Sequence, residues 1–332
     1  MTRCAVLGAG AWGTALGDLL ARGGHEVALW AHEADVVASV NASHENVRFL
    51  RGVRLHAGVC AVAELAEAAR GAALVSLVAP SHVLRTVVRG AAPSIAPKAV
   101  IVVATKGIER ETLAMMTDVA AQELPGRPVV ALSGPSFAAE VAARQPTAVV
   151  AASSDREAAA AAQRALSSDT FRVYTSDDVV GAEMGGALKN VIAVATGIAE
   201  GLGLGFNPRA ALITRGLAEI TRLGVARGAS PLTFMGLAGL GDLVLTCTGA
   251  LSRNRAVGLE IGKGARLADV LAKRETVAEG IVTTQSAHAL AEREGIEMPI
   301  VAAVHRTLFE DQAARSSIAA LMTRELRAER DA

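Results

Sequence analysis

Three closely spaced glycines after a short apolar run constrain the fold of this chain more than any other feature. The apolar run covers residues 4–7 and leads into Gly8, Gly10 and Gly13, after which a helical pattern and a second apolar run at 26–30 follow. In such a unit the first glycine makes a tight turn, the second lets the backbone approach a pyrophosphate, and the third lets helix pack on strand. The spacing therefore predicts a dinucleotide-binding turn. A glycine-rich turn without a ligand is the alternative.

Strand and helix patterns alternate through the rest of the first half. Near-continuous apolar runs predict further strands, because the strands of a parallel sheet are buried on both faces. The predicted strands are 73–78, 99–104, 128–132 and 148–152, and the helical patterns are 83–89, 111–123 and 155–167. This alternation predicts a mostly parallel, doubly wound sheet, in which ligands bind at the carboxyl ends of the strands.

Three turns lie at those predicted strand ends, at residues 80–82, 105–107 and 133–137. The second turn contains Lys106, one of only five lysines in the chain, directly after an apolar strand. We predict that Lys106 belongs to the ligand site, with an ordinary surface lysine as the alternative. Ser136 in the third turn is a further candidate, although a serine there is also a typical cap of the following helix.

The residue that contacts the adenosine ribose is expected just after the second strand. A carboxylate at this place favours the ribose hydroxyls of NAD, whereas a basic group favours the additional phosphate of NADP. The sequence here is His32-Glu33, and the two side chains favour opposite cofactors. The sequence therefore leaves the choice between NAD and NADP open.

A long apolar stretch at 181–207 opens the second half and contains a single lysine, Lys189. We predict one long helix over this stretch. Gly185 and Gly186 lie one turn before the lysine, so that the helix face beside it is nearly bare backbone. Such a face suits the close approach of a ligand or of another element. The alternative is tight helix packing, with the lysine reaching out to water.

The remaining second half shows helical patterns only. Asn207-Pro208 is typical of a helix start, with asparagine as the cap and proline at the first position. Asp242 and Thr246 are four residues apart and share a helix face. Ser252 is a candidate N-cap, and Arg253 and Asn254 beside it would make an anion site; an exposed basic helix end is the alternative. Further predicted helices lie at 209–223, from 279 onward, and within 285–324.

Composition narrows the class of protein. The chain has 332 residues, a formal net charge of +0 and three scattered cysteines. We expect no nucleic-acid partner, no metal site and no integral membrane contact, since Lys189 and Glu200 would make the stretch 181–207 costly in a bilayer. We predict an α/β N-terminal Rossmann-like doubly wound sheet plus an all-α C-terminal domain, with a dinucleotide-binding domain at 1–180 and a substrate-binding domain at 181–332.

Ten short motifs, taken in order along the chain, together resemble the pattern of a known protein family. They are GAGAWGTA at 8–15, LWAH at 29–32, PSH at 80–82, ATKG at 104–107, SGPSF at 133–137, LKNV at 188–191, ITRGLAE at 213–219, GLGDL at 239–243, SRNR at 252–255 and EG at 279–280. With them the chain resembles the bacterial-type NAD(P)-dependent glycerol-3-phosphate dehydrogenase family to about residue 310. Two positions depart from the family pattern. Arg51-Gly52 stands where relatives usually have a proline. Glu33 follows His32, which leaves the choice between NAD and NADP open.

The resemblance assigns roles to individual residues. For the cofactor it implies Gly8, Gly10, Ala11, Trp12, Gly13, His32, Lys106, Ala138, Arg253, Val277 and Glu279. For the substrate it implies Lys106, Gly134, Ser136, Lys189, Asn190, Asp242, Thr246, Ser252, Arg253 and Asn254. Lys189 is implied as the catalytic proton donor and acceptor.

The resemblance also implies an activity and a setting. The expected reaction is reversible hydride transfer between NAD or NADP and C2 of dihydroxyacetone phosphate, which gives sn-glycerol 3-phosphate for phospholipid synthesis. The expected protein is a cytoplasmic homodimer. Two alternatives stay open: another β-hydroxyacid or 2-ketoacid reductase of the same two-domain plan, and a sensor that binds NAD(H) without turnover.

Overall fold

The computed structural model of the chain describes residues 2–274, 278–326 and 328–329. The chain forms two compact units. The first unit comprises Met1–Ala187 and Gly224–Asp242, and the second comprises Leu188–Leu223 and Leu243–Ala332. The segment 224–242 therefore belongs to the first unit, although it comes from the second half of the chain. The assignment of a cofactor domain to 1–180 and a substrate domain to 181–332 stays a prediction.

An eight-stranded sheet forms the centre of the first unit, in the order β3-β2-β1-β4-β5-β6-β7-β8. The strands are β1 (Arg3–Leu7), β2 (Glu26–Trp30), β3 (Val59–Val62), β4 (Leu74–Leu77), β5 (Val100–Val103), β6 (Val129–Ser133), β7 (Thr147–Ala152) and β8 (Phe171–Ser176). Neighbouring strands are parallel except β6 and β7, which are antiparallel. The predicted doubly wound, mostly parallel sheet is confirmed.

Helices cover both faces of this sheet and make up the second unit. In chain order they are α1 (Ala11–Arg22), α2 (Ala34–Ser43), α3 (Leu65–Ala69), α4 (Ser81–Ala91), α5 (Met116–Glu123), α6 (Ala138–Ala142), α7 (Arg156–Leu166), α8 (Val179–Gly201), α9 (Phe206–Ala226), α10 (Pro231–Phe234), α11 (Asp242–Thr248), α12 (Arg253–Gly262), α13 (Leu267–Ala272), α14 (Glu279–Glu294), α15 (Pro299–Phe309) and α16 (Ala314–Met322). A 3₁₀ turn at Ala92–Ser94 and a π-helical turn at Leu237–Gly241 complete the described elements.

The continuous apolar character of the central strands follows from burial on two faces. In β1, Cys4 and Val6 belong to one hydrophobic cluster, whereas Ala5 and Leu7 belong to the other. Successive side chains of a strand point to opposite faces, so each face of the sheet has its own core. All four residues of β4 are buried for the same reason.

Two strands were not predicted from the sequence, because exposed residues interrupt their apolar patterns. Cys60 is exposed in β3, and Arg172 and Tyr174 are exposed in β8. Both strands lie at the edges of the sheet, where one side lacks a neighbour. The predicted helix at 111–123 is also shorter than expected, since α5 begins only at Met116.

The prediction of one helix over 181–207 is wrong at its end. Helix α8 begins at Val179 and ends at Gly201. Gly203 then adopts a φ of +80°, in the left-handed region that favours glycine. Helix α9 begins at Phe206, so Asn207 and Pro208 lie inside its first turn and Asn207 is not the predicted cap.

One apolar stretch, 231–248, is long enough to cross a membrane by length and composition, judged over the described residues. Its mean hydropathy is 1.3, and 39% of it is buried. The stretch is divided between α10, the π-helical turn and α11, and it contains the fully buried Asp242. Length and composition alone are weak evidence for a membrane span, because core helices of soluble proteins pass the same test.

Glycines bring α8 and α12 into backbone contact in the second unit. A Cβ atom built on Gly258 of α12 would lie 2.1 Å from the carbonyl oxygen of Val194 in α8, and one on Gly197 would lie 2.1 Å from that of Arg255. No side chain fits at such distances. The two helices therefore pack through their backbones, which offsets the helix-propensity cost of about 1 kcal/mol for each glycine.

We predict that Gly258→Ala destabilises the protein by about 1–3 kcal/mol, because the added methyl group forces the two helix backbones apart. Gly205 is the matched control: a Cβ there would meet nothing within 4 Å, and the φ of Gly205 is outside the left-handed region. Urea unfolding of the two variants measures the difference. Equal stability of Gly258→Ala and Gly205→Ala would contradict the close packing of α8 and α12.

Glu219 of α9 links that helix to the start of α15. Its side chain accepts hydrogen bonds from the backbone N–H groups of Ile300, at 2.7 Å, and Val301, at 3.2 Å. The residue is only 2% exposed. Burial raises the pKa of Glu219 from 4.5 to about 7, against the opposing effect of the two backbone hydrogen bonds.

This raised pKa predicts a pH dependence of stability. Between pH 4.5 and 7 the folded chain keeps a proton on Glu219 that the unfolded chain has lost, so the free energy of unfolding falls as the pH rises through this window. The fall is up to about 3 kcal/mol for a shift of this size. We expect Glu219→Gln to remove this part of the fall, as measured by urea unfolding at pH 5, 6, 7 and 8. A variant profile parallel to that of the wild type would contradict the assignment.

Candidate active site

The glycine turn after β1 has the geometry of an anion-binding helix start. Gly8 has a φ of +128°, and a Cβ on it would lie 2.8 Å from the backbone nitrogen of Ala79. A Cβ on Gly13 would lie 1.8 Å from the Gly8 carbonyl oxygen, so α1 packs directly against the turn. A Cβ on Gly10 would meet nothing within 4 Å, and no side chain caps α1. The open space at Gly10 and the uncapped N-terminus of α1 fit the pyrophosphate of a dinucleotide.

The other predicted cofactor residues of the first unit lie at the starts of helices and after strands. Ala11 and Trp12 form the half-buried first turn of α1, and Ala138 is the first residue of α6. His32 is exposed directly after β2, with its ring centroid 6.3 Å from that of Trp30. Glu33 is the N-cap residue of α2.

Lys106 lies three residues after the carboxyl end of β5 and is held by two polar contacts. Its Nζ atom donates to Asp242 Oδ2 at 2.6 Å and to the carbonyl oxygen of Gly134 at 3.2 Å. The Lys106 side chain is 18% exposed and that of Asp242 is 0% exposed. Three residues predicted for the substrate therefore lie together, although Lys106 and Asp242 are 136 positions apart. The ion pair satisfies a carboxylate that would be costly to bury alone.

Gly186 of α8 packs beside this lysine. A Cβ on Gly186 would lie 3.5 Å from Cδ of Lys106 and 2.6 Å from the hydroxyl of Ser133. Gly185 instead faces backbone, since a Cβ there would lie 2.3 Å from the carbonyl oxygen of Ala238. Both glycines thus permit close approach, as the sequence predicted, and the approaching groups belong to the protein itself.

Ser136 is not the cap of the next helix. The N-cap residue of α6 is Phe137, and no side chain caps that helix. The Ser136 hydroxyl donates to the carbonyl oxygen of Gly134 at 3.0 Å. Gly134 has a φ of +139°, and a Cβ on it would lie 2.9 Å from Cα of Val149. The same Gly134 oxygen therefore accepts from both Ser136 and Lys106 and fixes the geometry of this turn.

Glu183 is a polar residue of this region that the sequence analysis missed. Its side chain lines a small cleft together with Thr105, Lys106 and Ser133. The carboxyl group accepts hydrogen bonds from the backbone N–H of Thr117, at 2.9 Å, and from the Thr117 hydroxyl. Burial raises the pKa of Glu183 to about 7, against those hydrogen bonds. Glu183 could have been found from the sequence, because it is a charged residue in an apolar helix, as is Lys189.

A second group of predicted residues lies in the second unit. Lys189 and Asn190 of α8 are 7% and 6% exposed, so Lys189 does not reach out to open water. The amide of Asn254 donates to Asn190 Oδ1 at 2.9 Å and accepts from the backbone N–H of Gly280 at 2.9 Å. This chain of hydrogen bonds fixes both amide groups. Gly280 must be glycine here, since a Cβ would lie 2.7 Å from the Asn190 carbonyl oxygen.

The two arginines of the SRNR motif differ in their surroundings. Arg255 forms an ion pair with Glu200 through two hydrogen bonds, of 2.9 and 2.8 Å, and is structural. Arg253 is exposed at the first position of α12. Ser252 is the predicted N-cap, and its hydroxyl accepts from Arg255 N–H at 3.2 Å.

The remaining predicted residues are Thr246, Glu279 and Val277. Thr246 is buried in α11, at 4% exposure. Glu279 is the first residue of α14, as predicted. Val277 lies outside the described residues. Among residues 2–274, 278–326 and 328–329, no group of three or more His, Cys, Asp or Glu side chains has the geometry of a metal site.

Known proteins match this chain over nearly its whole length. Residues 3–159 match the family model described as NAD-dependent glycerol-3-phosphate dehydrogenase N-terminus, and residues 178–319 match the model of its C-terminus. The chain is 56% identical over 331 residues to glycerol-3-phosphate dehydrogenase [NAD(P)+] of Geobacter sulfurreducens, covering 99% of each chain. It is 55% identical over 330 residues to the protein of the same name of Geobacter metallireducens, covering 98% of each.

A solved structure is similar as well. The crystal structure of glycerol-3-phosphate dehydrogenase from Coxiella burnetii matches with a TM-score of 0.94 and 41% sequence identity. The match covers 97% of this chain and 99% of that one.

Proposed function

From the premise that the chain belongs to the NAD-dependent glycerol-3-phosphate dehydrogenase family, we propose that it is an NAD(P)-dependent sn-glycerol-3-phosphate dehydrogenase. The reaction is reversible hydride transfer between the nicotinamide of NAD or NADP and C2 of dihydroxyacetone phosphate. The observation that carries this proposal is the 56% identity to a relative of that name over 331 residues. Consumption of NADH or NADPH with dihydroxyacetone phosphate tests it, with ketopantoate and other ketoacids as competing substrates.

The glycine turn would hold the cofactor. Gly8 and Gly13 bring α1 onto the turn, and the space at Gly10 would admit the pyrophosphate. A bound nicotinamide would supply or accept the hydride. Ala11, Trp12, His32, Ala138, Val277 and Glu279 remain proposed cofactor residues, and the preference between NAD and NADP stays open.

Lys189 would donate and accept the proton. A hydride that arrives at a ketone carbon leaves negative charge on the oxygen, and an ammonium group beside that oxygen stabilises the charge and supplies the proton. In the reverse direction the amine takes the proton from the alcohol. The low exposure of Lys189, 7%, supports this role, because charge stabilisation is stronger where water is excluded.

The neighbouring polar residues would orient the substrate. Asn190 and Asn254 are fixed by their mutual hydrogen bond, and a fixed amide loses little freedom when it binds a substrate hydroxyl. Lys106 and Asp242 are fixed in the same way by their ion pair. Gly134, Ser136 and Thr246 would complete the substrate contacts.

Arg253 and Asn254, with Ser252 beside them, would bind the phosphate of the substrate. The N-terminus of α12 offers backbone N–H groups and a favourable dipole, and Arg253 adds a guanidinium that binds phosphate oxygens in pairs. Arg253 is exposed, whereas Arg255 is occupied by Glu200, so Arg253 is the arginine of this motif that we assign to the ligand.

The setting of the enzyme follows from the same proposal. Glycerol 3-phosphate would supply phospholipid synthesis, in the cytoplasm and without integral membrane contact, and the protein would be a homodimer.

Two alternative functions predict other results. A 2-ketoacid reductase would prefer ketopantoate or another ketoacid in the assay above. A sensor of NAD(H) would bind the cofactor without turnover.

We predict that Lys189→Ala lowers kcat by at least about a hundredfold, because the variant lacks the proton donor. Lys98, an exposed lysine after α4, is the control, and Lys98→Ala should keep wild-type turnover. Steady-state kinetics measure both, and NADH titration verifies that the variant still folds and binds cofactor. Near-wild-type turnover of Lys189→Ala would end the assignment.

We predict that Arg253→Ala raises KM for dihydroxyacetone phosphate by about a hundredfold, the scale of a lost charge-assisted phosphate contact. Its effect on the non-phosphorylated dihydroxyacetone should be small. Arg266, whose side chain is 85% exposed, is the control, and Arg266→Ala should change neither value. Equal losses with both ketones would show that Arg253 does not bind the phosphate.

A further inference from the structure

The side chain of Asn46 makes four hydrogen bonds, two of them to the glycine turn and the start of α1, although no role in the reaction has been assigned to it so far. The residue is 0% exposed and lies between α2 and β3. Its Nδ2 group donates to the carbonyl oxygen of Ala9 at 2.8 Å and to the hydroxyl of Thr14 at 2.8 Å. Its Oδ1 atom accepts from the backbone N–H groups of Phe49, at 3.0 Å, and Arg48, at 3.3 Å. The acceptor side of the amide thus holds its own turn, and the donor side holds the glycine turn.

The Ala9 carbonyl oxygen has two side-chain donors. Besides Asn46, the hydroxyl of Thr14 donates to it at 3.1 Å. Ala9 lies between Gly8 and Gly10, inside the turn that fits a pyrophosphate. The carbonyl oxygen therefore points to the buried side, where Asn46 and Thr14, both 0% exposed, are located.

The direction of this carbonyl determines the direction of the next N–H group. In a trans peptide the C=O of one residue and the N–H of the next point in opposite directions across one plane. Since the Ala9 oxygen points to buried Asn46 and Thr14, the N–H of Gly10 points away from them, and Gly10 is exposed. An outward N–H at the start of α1 is a donor that a pyrophosphate oxygen requires.

This peptide plane needs support from outside the turn. Rotation of this plane changes ψ of Ala9 and φ of Gly10, and glycine tolerates a wide range of φ, so the backbone itself offers little resistance to the rotation. A rotated plane would direct the Ala9 carbonyl oxygen toward the ligand, where it would repel a phosphate. The hydrogen bonds from Asn46 and Thr14 stabilise the orientation in which the donor faces outward.

We propose that Asn46 is a positioning residue for cofactor binding: together with the Thr14 hydroxyl, its amide fixes the Ala9–Gly10 peptide so that the Gly10 N–H faces the pyrophosphate. Asn46 touches no cofactor atom in this scheme and acts through the backbone of the turn. The inference rests on the proposed dehydrogenase function, and it adds a residue from outside the glycine motif to the cofactor site.

The test is Asn46→Asp, with Asn41→Asp as the control. Aspartate has the shape of asparagine and keeps the oxygen that accepts from Phe49 and Arg48, but it lacks the donor to Ala9. It also adds a negative charge, an effect that the Thr14 variants described below do not share. Asn41 makes a comparable pair of bonds to another backbone: its Nδ2 donates to Ala61 O at 2.9 Å, and its Oδ1 accepts from Ala61 N–H at 2.9 Å. Asn41 is exposed whereas Asn46 is buried, so Asn41→Asp controls for the exchange of a donor for a carboxylate away from the glycine turn, and the thermal midpoint reports the difference in burial.

The readouts are the Kd of NADH by fluorescence titration, the thermal midpoint, and kcat at saturating substrates. For Asn46→Asp we expect the Kd of NADH to rise by about tenfold or more, the scale of one lost buried hydrogen bond, with kcat within about threefold of wild type. Asn41→Asp should keep the Kd within about twofold. An unchanged Kd for Asn46→Asp, with or without a lower thermal midpoint, would overturn the proposal.

Thr14 provides a second, independent pair of variants, which decides the question if Asn46→Asp does not fold. Thr14→Val removes the donor to Ala9 at nearly constant shape, whereas Thr14→Ser keeps the hydroxyl. We expect Thr14→Val to weaken NADH binding and Thr14→Ser to retain it. Equal NADH affinity of the two variants would overturn the proposal.

The wild-type protein separates this inference from the proposed function. If the wild type neither binds NADH nor reduces dihydroxyacetone phosphate, the proposed function is wrong. If the wild type does both and the Asn46 and Thr14 variants bind NADH equally well, only the positioning role is wrong.

Discussion

The ion pair between Lys106 and Asp242 is the interaction on which the first unit depends. Asp242 is fully buried, and a buried carboxylate without a partner is strongly destabilising. Its partner is a lysine three residues after the carboxyl end of β5, where parallel sheets bind their ligands. The pair thereby joins the segment 224–242 to the sheet, although residues 188–223 of the second unit lie between this segment and the rest of the first unit in sequence. The proposed substrate contacts use the same two side chains, so an apolar residue at either position would leave the other charge without this partner.

Glycines on α8 serve different neighbours along the helix. In the first unit Gly186 accommodates the Lys106 side chain and Ser133, and Gly185 accommodates the backbone at Ala238. In the second unit Gly197 accommodates the backbone of α12 at Arg255. Each glycine lowers helix propensity, and close packing offsets that loss. The composition of α8, which resembles a weak helix when read alone, is explained by what packs against it.

The sequence predicted those features whose causes are local. The glycine turn, the central strands, the Ser252 cap and the start of α14 at Glu279 each follow from a few neighbouring residues. The features it missed depend on distant partners. Arg255 is structural rather than available to a ligand because it forms an ion pair with Glu200. Asn46 reaches the glycine turn because its amide donates to the carbonyl oxygen of Ala9. The burial of Glu183 depends on the fold around it. The edge strands β3 and β8 were missed because their exposed residues resemble loop composition.

The reversed direction of β7 has a consequence for α8. β7 is antiparallel to β6, and β8 is parallel to β7. The last residue of β8 therefore lies at the end of the sheet where β6 begins, opposite to the carboxyl end of β6. Helix α8 starts there, with Asp178 bound to the N–H of Gly181 and to the Thr233 hydroxyl, and it reaches Ser133 at Gly186. The number of residues between Asp178 and Gly186 determines which face of α8 Gly186 lies on. Insertion or deletion of one residue would rotate Gly186 by about 100° and turn a neighbouring side chain toward Lys106.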